Sequence, residues 1–152
     1  MKTVYFAQHG VATPKEVDEQ RPLSAVGNDE THNVASCLKK QQVEINKIAH
    51  SGKLRALQTA SIFAEVLGVD DVIQLDVMNP NDDPSQLIQQ ISQDKVLHVG
   101  HLPNIQKVIS TLICHENSNV VQFQNSAVVC IEMNDSESSI KWFLTPQICR
   151  NL

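Results

Sequence analysis

T-V-Y-F-A-Q-H-G, residues 3 to 10, is the stretch from which the fold can be read. Its β-branched and aromatic residues predict a buried strand from Thr3 to Gln8. Gly10 ends the strand, and His9 stands just past its end. From Val11 to Pro22 the chain is polar and charged, with prolines at 14 and 22, which predicts a loop.

Working outward, strand and helix patterns alternate. Ser24 is placed to cap a helix running to about Gln42, with Val34, Ala35 and Leu38 on one face. Gly27 weakens that helix unless something packs close to it. Residues 46 to 51 predict a short strand, and 54 to 68 an amphipathic helix with Leu57, Ala60, Phe63, Ala64 and Leu67 on its apolar face and Gly68 at its end. A third strand is expected over 71 to 75. Asp83 before Pro84 then reads as a cap followed by a first-turn proline. Residues 95 to 100 form the fourth predicted strand, and Pro103 opens a helix striped by Ile105, Val108, Ile109, Leu112 and Ile113. Beyond Val120 three short strands are expected, at 120 to 124, 127 to 134 and 140 to 146, the last two forming a hairpin. This order predicts a three-layer α/β/α sandwich, its sheet mainly parallel with C-terminal antiparallel strands, as a single domain over residues 1–152.

Composition is consistent with that expectation. A chain of 152 residues is long enough to bury roughly 70% of its unfolded surface in one core. Its hydrophobic share of 41% and charged share of 19% are ordinary for a globular protein. The net charge of -5 argues against a nucleic-acid partner, since such binders carry a basic face. Cys37, Cys114, Cys130 and Cys149 are widely spaced and read as reduced thiols. The apolar start is too short for a signal peptide, and no stretch reaches the roughly 18 to 20 apolar residues of a membrane span, so no membrane role is expected and the expected compartment is the cytoplasm. Nothing in the sequence specifies an oligomeric state.

In an open parallel sheet, ligands bind at the carboxyl ends of the strands. Past the four predicted parallel strands lie Q-H-G, S-G-K-L-R, D-V-M-N-P-N-D-D-P and G-H-L-P, which brings His9, Arg55, His101 and several aspartates to one rim. Gly10 and Gly100 suit turns where backbone approaches a ligand. Arg55 falls in the first turn of its helix, where the dipole disfavours a cation unless an anion arrives. The set therefore suits a phosphate-like group. A neutral imidazole is able to attack phosphorus, and phosphoryl transfer asks mainly for positioning and charge neutralisation. His98 and His101 form H-x-x-H without a matching ligand cluster, so no metal is expected. His98 and His50 read as structural, His32 and His115 as surface residues, and Trp142 and Phe143 as packing.

Q-H-G, R-P-L-S-A-V-G, S-G-K-L-R-A-L-Q-T-A and V-G-H-L-P together resemble, in order and spacing, the motifs of the histidine phosphatase superfamily, whose fold is phosphoglycerate mutase-like. The short length and the R-P-L-S-x-x-G segment resemble the bacterial phosphohistidine phosphatases of the SixA type. The likeness spans essentially the whole chain. It implies that His9 is the nucleophile that becomes phosphorylated, that Arg55 binds phosphate, that His101 supports the transferring group, and that Arg21 is a further phosphate contact. It also implies that hydrolysis needs no metal or organic cofactor.

Two positions depart from the family pattern. Gln8 stands where the family has arginine, and Gly52 where it usually has proline, a change expected only to loosen a turn. Glutamine keeps an N–H donor but loses a full charge and the bidentate fork, a loss of about 3 kcal/mol by analogy with single donors in transition-state pockets. Arg21 and a protonated His101 are expected to offset part of it. Esters need a general acid for their leaving group, whereas phosphohistidine leaves as imidazole. Asp82 is the candidate acid, because Asp83 reads as a helix cap and Asp76 as a turn residue. Three functions follow: a phosphatase acting on phosphohistidine in a signalling or phosphotransfer protein, a small-molecule phosphomonoesterase, or a weakened module that recognises phosphate or a phosphorylated partner.

Overall fold

A computed structural model describes residues 1–115 and 118–150. In chain order the elements are β1 (Lys2–Gln8), α1 (Ala25–Lys40), β2 (Lys47–His50), α2 (Leu54–Leu67), β3 (Val72–Gln74), α3 (Pro84–Gln89), β4 (Val96–Gly100), α4 (Asn104–Cys114), β5 (Val128–Met133), β6 (Ser138–Leu144) and α5 (Pro146–Cys149). The six strands form one sheet in the order β3-β2-β4-β1-β5-β6. The first four are parallel, while β5 runs antiparallel to β1 and β6 antiparallel to β5.

Alternation along β1 builds the layers. Tyr5 and Ala7 point to one face, where they join Val34 and Leu38 of α1 and Ala60 and Phe63 of α2. Val4 and Phe6 point to the other and meet Leu87 of α3 and Ile105, Val108 and Ile109 of α4. Both faces of the sheet are thus covered, as a parallel sheet requires. The three-layer mixed α/β expectation holds. Among the described residues no helix is long and apolar enough to cross a membrane.

Local signals explain most boundaries. Ser24 accepts a hydrogen bond from the Gly27 N–H at 3.0 Å, and Gly68 closes α2 in the left-handed conformation. Gly27 has the close neighbour that its place in a helix demanded, since a Cβ there would lie 2.1 Å from the Val11 carbonyl oxygen. Asp83 caps α3, with Pro84 in its first turn.

Three expectations need correction. Residues 120 to 124 form no strand. Val121 and Phe123 are buried, so their alternation reports packing against the α4 side of the sheet without ladder pairing. On α2, Ala60 and Phe63 of the predicted stripe are buried and Ala64 and Leu67 pack half-buried against the core, but Leu57 is 38% exposed, and Ala56, Thr59 and Ile62 are buried in addition. The short α5 was not anticipated, because Pro146 at its start is also what ends β6.

Candidate active site

Register brings the site together. Gln8 of β1 pairs with Gly100 of β4, and His50 of β2 pairs with Val99, so His9, Ser51 and His101 each follow the carboxyl end of one of three adjacent strands. Their rings and hydroxyl meet there. The His9 and His101 ring centroids are 5.0 Å apart, tilted by 50°.

His9 is held from several sides. Its backbone N–H donates to the Gly100 carbonyl at 3.1 Å, and its carbonyl accepts from Asn125 Nδ2 at 2.9 Å. Its Nδ1 lies 2.7 Å from the Gly10 carbonyl, which can only accept, so Nδ1 carries the proton and Nε2 the lone pair. Burial, then the positive charges of Arg55 and Arg21, lower its pKa to about 4 against the stabilising bond to Gly10. The ring is therefore neutral at pH 7.

His101 is only 2% exposed. Its Nε2 is 2.6 Å from Ser51 Oγ, and its Nδ1 is buried without a partner. Burial first, then His9, Arg55, Lys53 and Arg21, lower its pKa to about 3. The protonated His101 expected to compensate for Gln8 is thus neutral, because the site already holds cations and excludes water.

Arg55 occupies the first turn of α2, a helix start with no side-chain cap and no acidic residue in its first turn. Its Nε is buried and unpartnered, and burial followed by the Arg21 charge lowers its pKa. Arg21 sits in the left-handed region at φ 51° and donates from Nε to the Thr13 carbonyl at 3.2 Å. Its charge is felt at His9, Arg55 and His101, which places it with the set.

Four buried side-chain polar atoms lack a partner among the described residues: Gln8 Oε1, Arg55 Nε, His101 Nδ1 and Asn104 Oδ1. Gln8 and His101 lie at neighbouring strand ends and Arg55 at the start of α2, while Asn104 is tied through Nδ2 to the Asp82 carbonyl. Orphaned polar groups are costly, so Arg55 Nε and His101 Nδ1 stand out as donors or acceptors that a polar ligand would satisfy. Arg55 Nε–H is a donor with no protein partner among the described residues.

The two glycines serve as close contacts. A Cβ on Gly10 would lie 2.8 Å from Thr31 Oγ1, and one on Gly100 would lie 2.7 Å from Ile105 Cγ2. Gly52 corrects an expectation. At φ +90° its N–H donates to His50 Nδ1 at 3.0 Å, so the glycine fixes the turn, and proline fits neither that angle nor the missing N–H. Asp82 spends its carboxylate on the Asn79 N–H at 2.9 Å, Asp83 caps α3, and the exposed Asp76 accepts from Gln74. His98 is structural, with Nδ1 against the Tyr5 carbonyl and its ring stacked on Phe6.

Sequence reasoning left several positioning groups unassigned. The Gly10 N–H donates to Thr59 Oγ1 at 2.9 Å, and Thr59 in turn donates to the Arg55 carbonyl at 2.7 Å, joining the loop after His9 to the helix that carries Arg55. Ser51 and Thr59 lie inside the second motif, which was the signal that pointed to them. Asn104 and Asn125 had none beyond adjacency.

Comparison with known proteins agrees with this fold. No family model matches the chain. The phosphohistidine phosphatase SixA of Escherichia coli (strain K12) is 28% identical over 152 residues, covering 94% of this chain and 93% of that protein. The structure of the protein histidine phosphatase SixA complexed with tungstate superposes with a TM-score of 0.83 at 25% identity, covering 96% of this chain and 98% of that one. A phosphoserine phosphatase from Entamoeba histolytica, in complex with 3-phosphoglyceric acid, shares the fold at TM-score 0.74 and 16% identity, covering 95% and 98%. The sheet, the paired histidines at its rim and these likenesses together place the chain in the histidine phosphatase superfamily. Within it the chain is of the SixA type and is a phosphatase hydrolase.

Proposed function

We propose that this phosphatase removes the phosphoryl group from a phosphorylated histidine in a signalling or phosphotransfer protein of the cytoplasm, in two steps through His9. In the first, the His9 Nε2 lone pair forms a P–N bond as the bond from phosphorus to the departing imidazole breaks, and that imidazole takes a proton from solvent. In the second, water forms a P–O bond as the His9 P–N bond breaks, and its proton passes to solvent. Arg55 and Arg21 neutralise the phosphoryl charge, His101 and Gln8 contact its oxygens, and Gly10 and Gly100 shape the backbone around it. The whole chain serves as one domain.

The observation that carries this reading is the tautomer of His9: Nδ1 is committed to the Gly10 carbonyl, so the lone pair is on Nε2, in a ring kept neutral. The bound tungstate of the SixA relative is an oxyanion and supports a phosphate-sized guest. The phosphohistidine substrate is favoured because Asp76, Asp82 and Asp83 all have local hydrogen-bonding duties, which leaves an ester's alkoxide without an acid from that region.

A second reading rests on the buried, unpartnered Gln8 Oε1, an acceptor where the family pattern has a cation. It favours a phosphate-recognising module of low turnover. Incubation with a phosphorylated histidine protein and with an aryl phosphate separates the readings. The expected result is an acid-labile phosphoenzyme and release of phosphate from the protein substrate, both lost in His9→Ala. Binding without label or turnover, in wild type and in Gln8→Arg, selects the module. Faster turnover of the aryl ester selects the small-molecule phosphomonoesterase.

A further inference from the structure

We infer that Ser51 is a positioning residue that fixes the tautomer of His101, so that His101 meets the phosphoryl group as a neutral Nδ1–H donor. The inference rests on the phosphoryl-transfer reading above, and it concerns a residue with no role in that scheme. Ser51 is buried at the end of β2, one strand away from His101 at the end of β4. Its Oγ makes two contacts, 3.3 Å to the Lys53 N–H and 2.6 Å to His101 Nε2.

Those two contacts have opposite polarity. A backbone N–H can only donate, so the Ser51 oxygen accepts from Lys53. The hydroxyl proton then has His101 Nε2 as its acceptor, which requires Nε2 to carry the lone pair and Nδ1 the proton. In the reverse arrangement Nε2–H would donate to Ser51, and the hydroxyl proton would be left buried without an acceptor, at a cost typical of an unsatisfied polar group. It would also turn the buried, unpartnered Nδ1 lone pair toward an arriving anion. The observed contacts therefore give the two rings opposite characters: His9 presents a lone pair at Nε2, and His101 an N–H at Nδ1.

The pair thus divides its labour through second partners of opposite character. A carbonyl behind His9 makes a nucleophile, and a hydroxyl behind His101 makes a donor. Without the hydroxyl, water or nothing would stand behind Nε2, and the commoner Nε2–H form would compete.

The test is a nitrogen-15 spectrum of the imidazoles in the full, substrate-free chain at pH 7, with the His101 signals assigned by their loss in His101→Asn. Protonated Nδ1 and unprotonated Nε2 are expected in wild type, and a shift toward Nε2–H in Ser51→Ala. Ser51→Thr, which keeps the hydroxyl, should restore the wild-type form. Phosphoenzyme formation should fall on the order of 10- to 100-fold in Ser51→Ala and recover in Ser51→Thr. An Nε2–H signal in wild type overturns the inference, as does an unchanged tautomer in a folded Ser51→Ala. If that variant does not fold, the wild-type tautomer alone decides. The outcomes separate from those of the proposed function: label on His9 with an Nε2–H His101 sinks only this inference, and an Nδ1–H His101 without label sinks only the phosphatase scheme.

Discussion

Replacing Gln8 by arginine should raise turnover by about a hundredfold. The imidazoles of His9 and His101 are both neutral, with pKa values lowered to about 4 and about 3, so the cations acting on the site are Arg55, Lys53 and Arg21. Gln8 brings no charge: its buried amide oxygen has no partner, and only its amide N–H can serve an anion. A unit charge about 4 Å from the phosphoryl group is worth about 4 kcal/mol at an effective dielectric of about 20. Against that stands repulsion among the site's own cations, since burial first and then the Arg21 charge lower the Arg55 pKa. A net gain of about 3 kcal/mol in the transition state corresponds to roughly a hundredfold in kcat/KM. The same repulsion predicts a signature besides rate. Gln8→Arg should melt at a lower temperature than wild type without phosphate, and phosphate should raise its melting temperature more than it raises that of wild type. The assay is phosphate release from a phosphorylated histidine protein, run beside thermal melts with and without phosphate. A folded variant with unchanged kcat/KM and no extra phosphate stabilisation would refute the reasoning.

Three further outcomes rest on the same structure. Buried His9, His98 and His101 have folded pKa values lowered to about 4, 4 and 3, below the unfolded value near 6.5, so the unfolded chain binds more protons between those limits and stability falls as pH drops through that window. At pH 5 each should cost about 2 kcal/mol, read as a falling melting temperature, while the acid limb of phosphoenzyme formation should lie well below pH 6.5. Gly52→Pro, although it matches the family pattern, should destabilise by about 3 kcal/mol in a denaturant titration, because φ is +90° and the Gly52 N–H bonds His50 Nδ1. Asp82→Asn should cost about 1 kcal/mol through the Asn79 turn and leave turnover of phosphohistidine within a factor of two, whereas a large loss of kcat would restore Asp82 as an acid.

The sheet and its chemistry were legible because they rest on local signals. Four apolar runs ended in Gly, His or polar turns, and the rule that ligands gather at strand ends then collected His9, Arg55 and His101. What stayed hidden depended on partners far along the chain. The alternation of Val121 and Phe123 matched a strand, but pairing with a neighbour is not written in one segment, and these residues pack without it. Thr59 looks polar in sequence, so its place on the buried face of α2 is not legible there. In the fold it is buried, with its hydroxyl bonded to the Gly10 N–H and the Arg55 carbonyl. Charge was the least legible quantity of all. A histidine among cations reads as a candidate imidazolium until burial is known, and burial is what makes both rings neutral.

That neutrality connects the fold to the chemistry. A phosphoryl group needs positive charge around its oxygens but a lone pair in line with its phosphorus, and a protonated histidine would supply the first while destroying the second. The site separates the two demands in space. Fixed charge comes from Arg55 at an uncapped helix start and Arg21 on the β1–α1 loop, while the strand ends hold neutral rings oriented by a carbonyl and a hydroxyl. Thr59 ties the two halves, since one hydroxyl accepts from the turn after His9 and donates to the backbone of Arg55. A shift of α2 would therefore move the charge and the nucleophile's turn together, which preserves their spacing. Gln8 removes charge from this arrangement without disturbing the orientation of His9, because the bonds that hold His9 run through the backbone of Gly100 and Gly10 and the side chain of Asn125. The substitution is thus expected to lower the rate through electrostatics while leaving the geometry of attack in place, so charge restored at position 8 should act on a site already aligned.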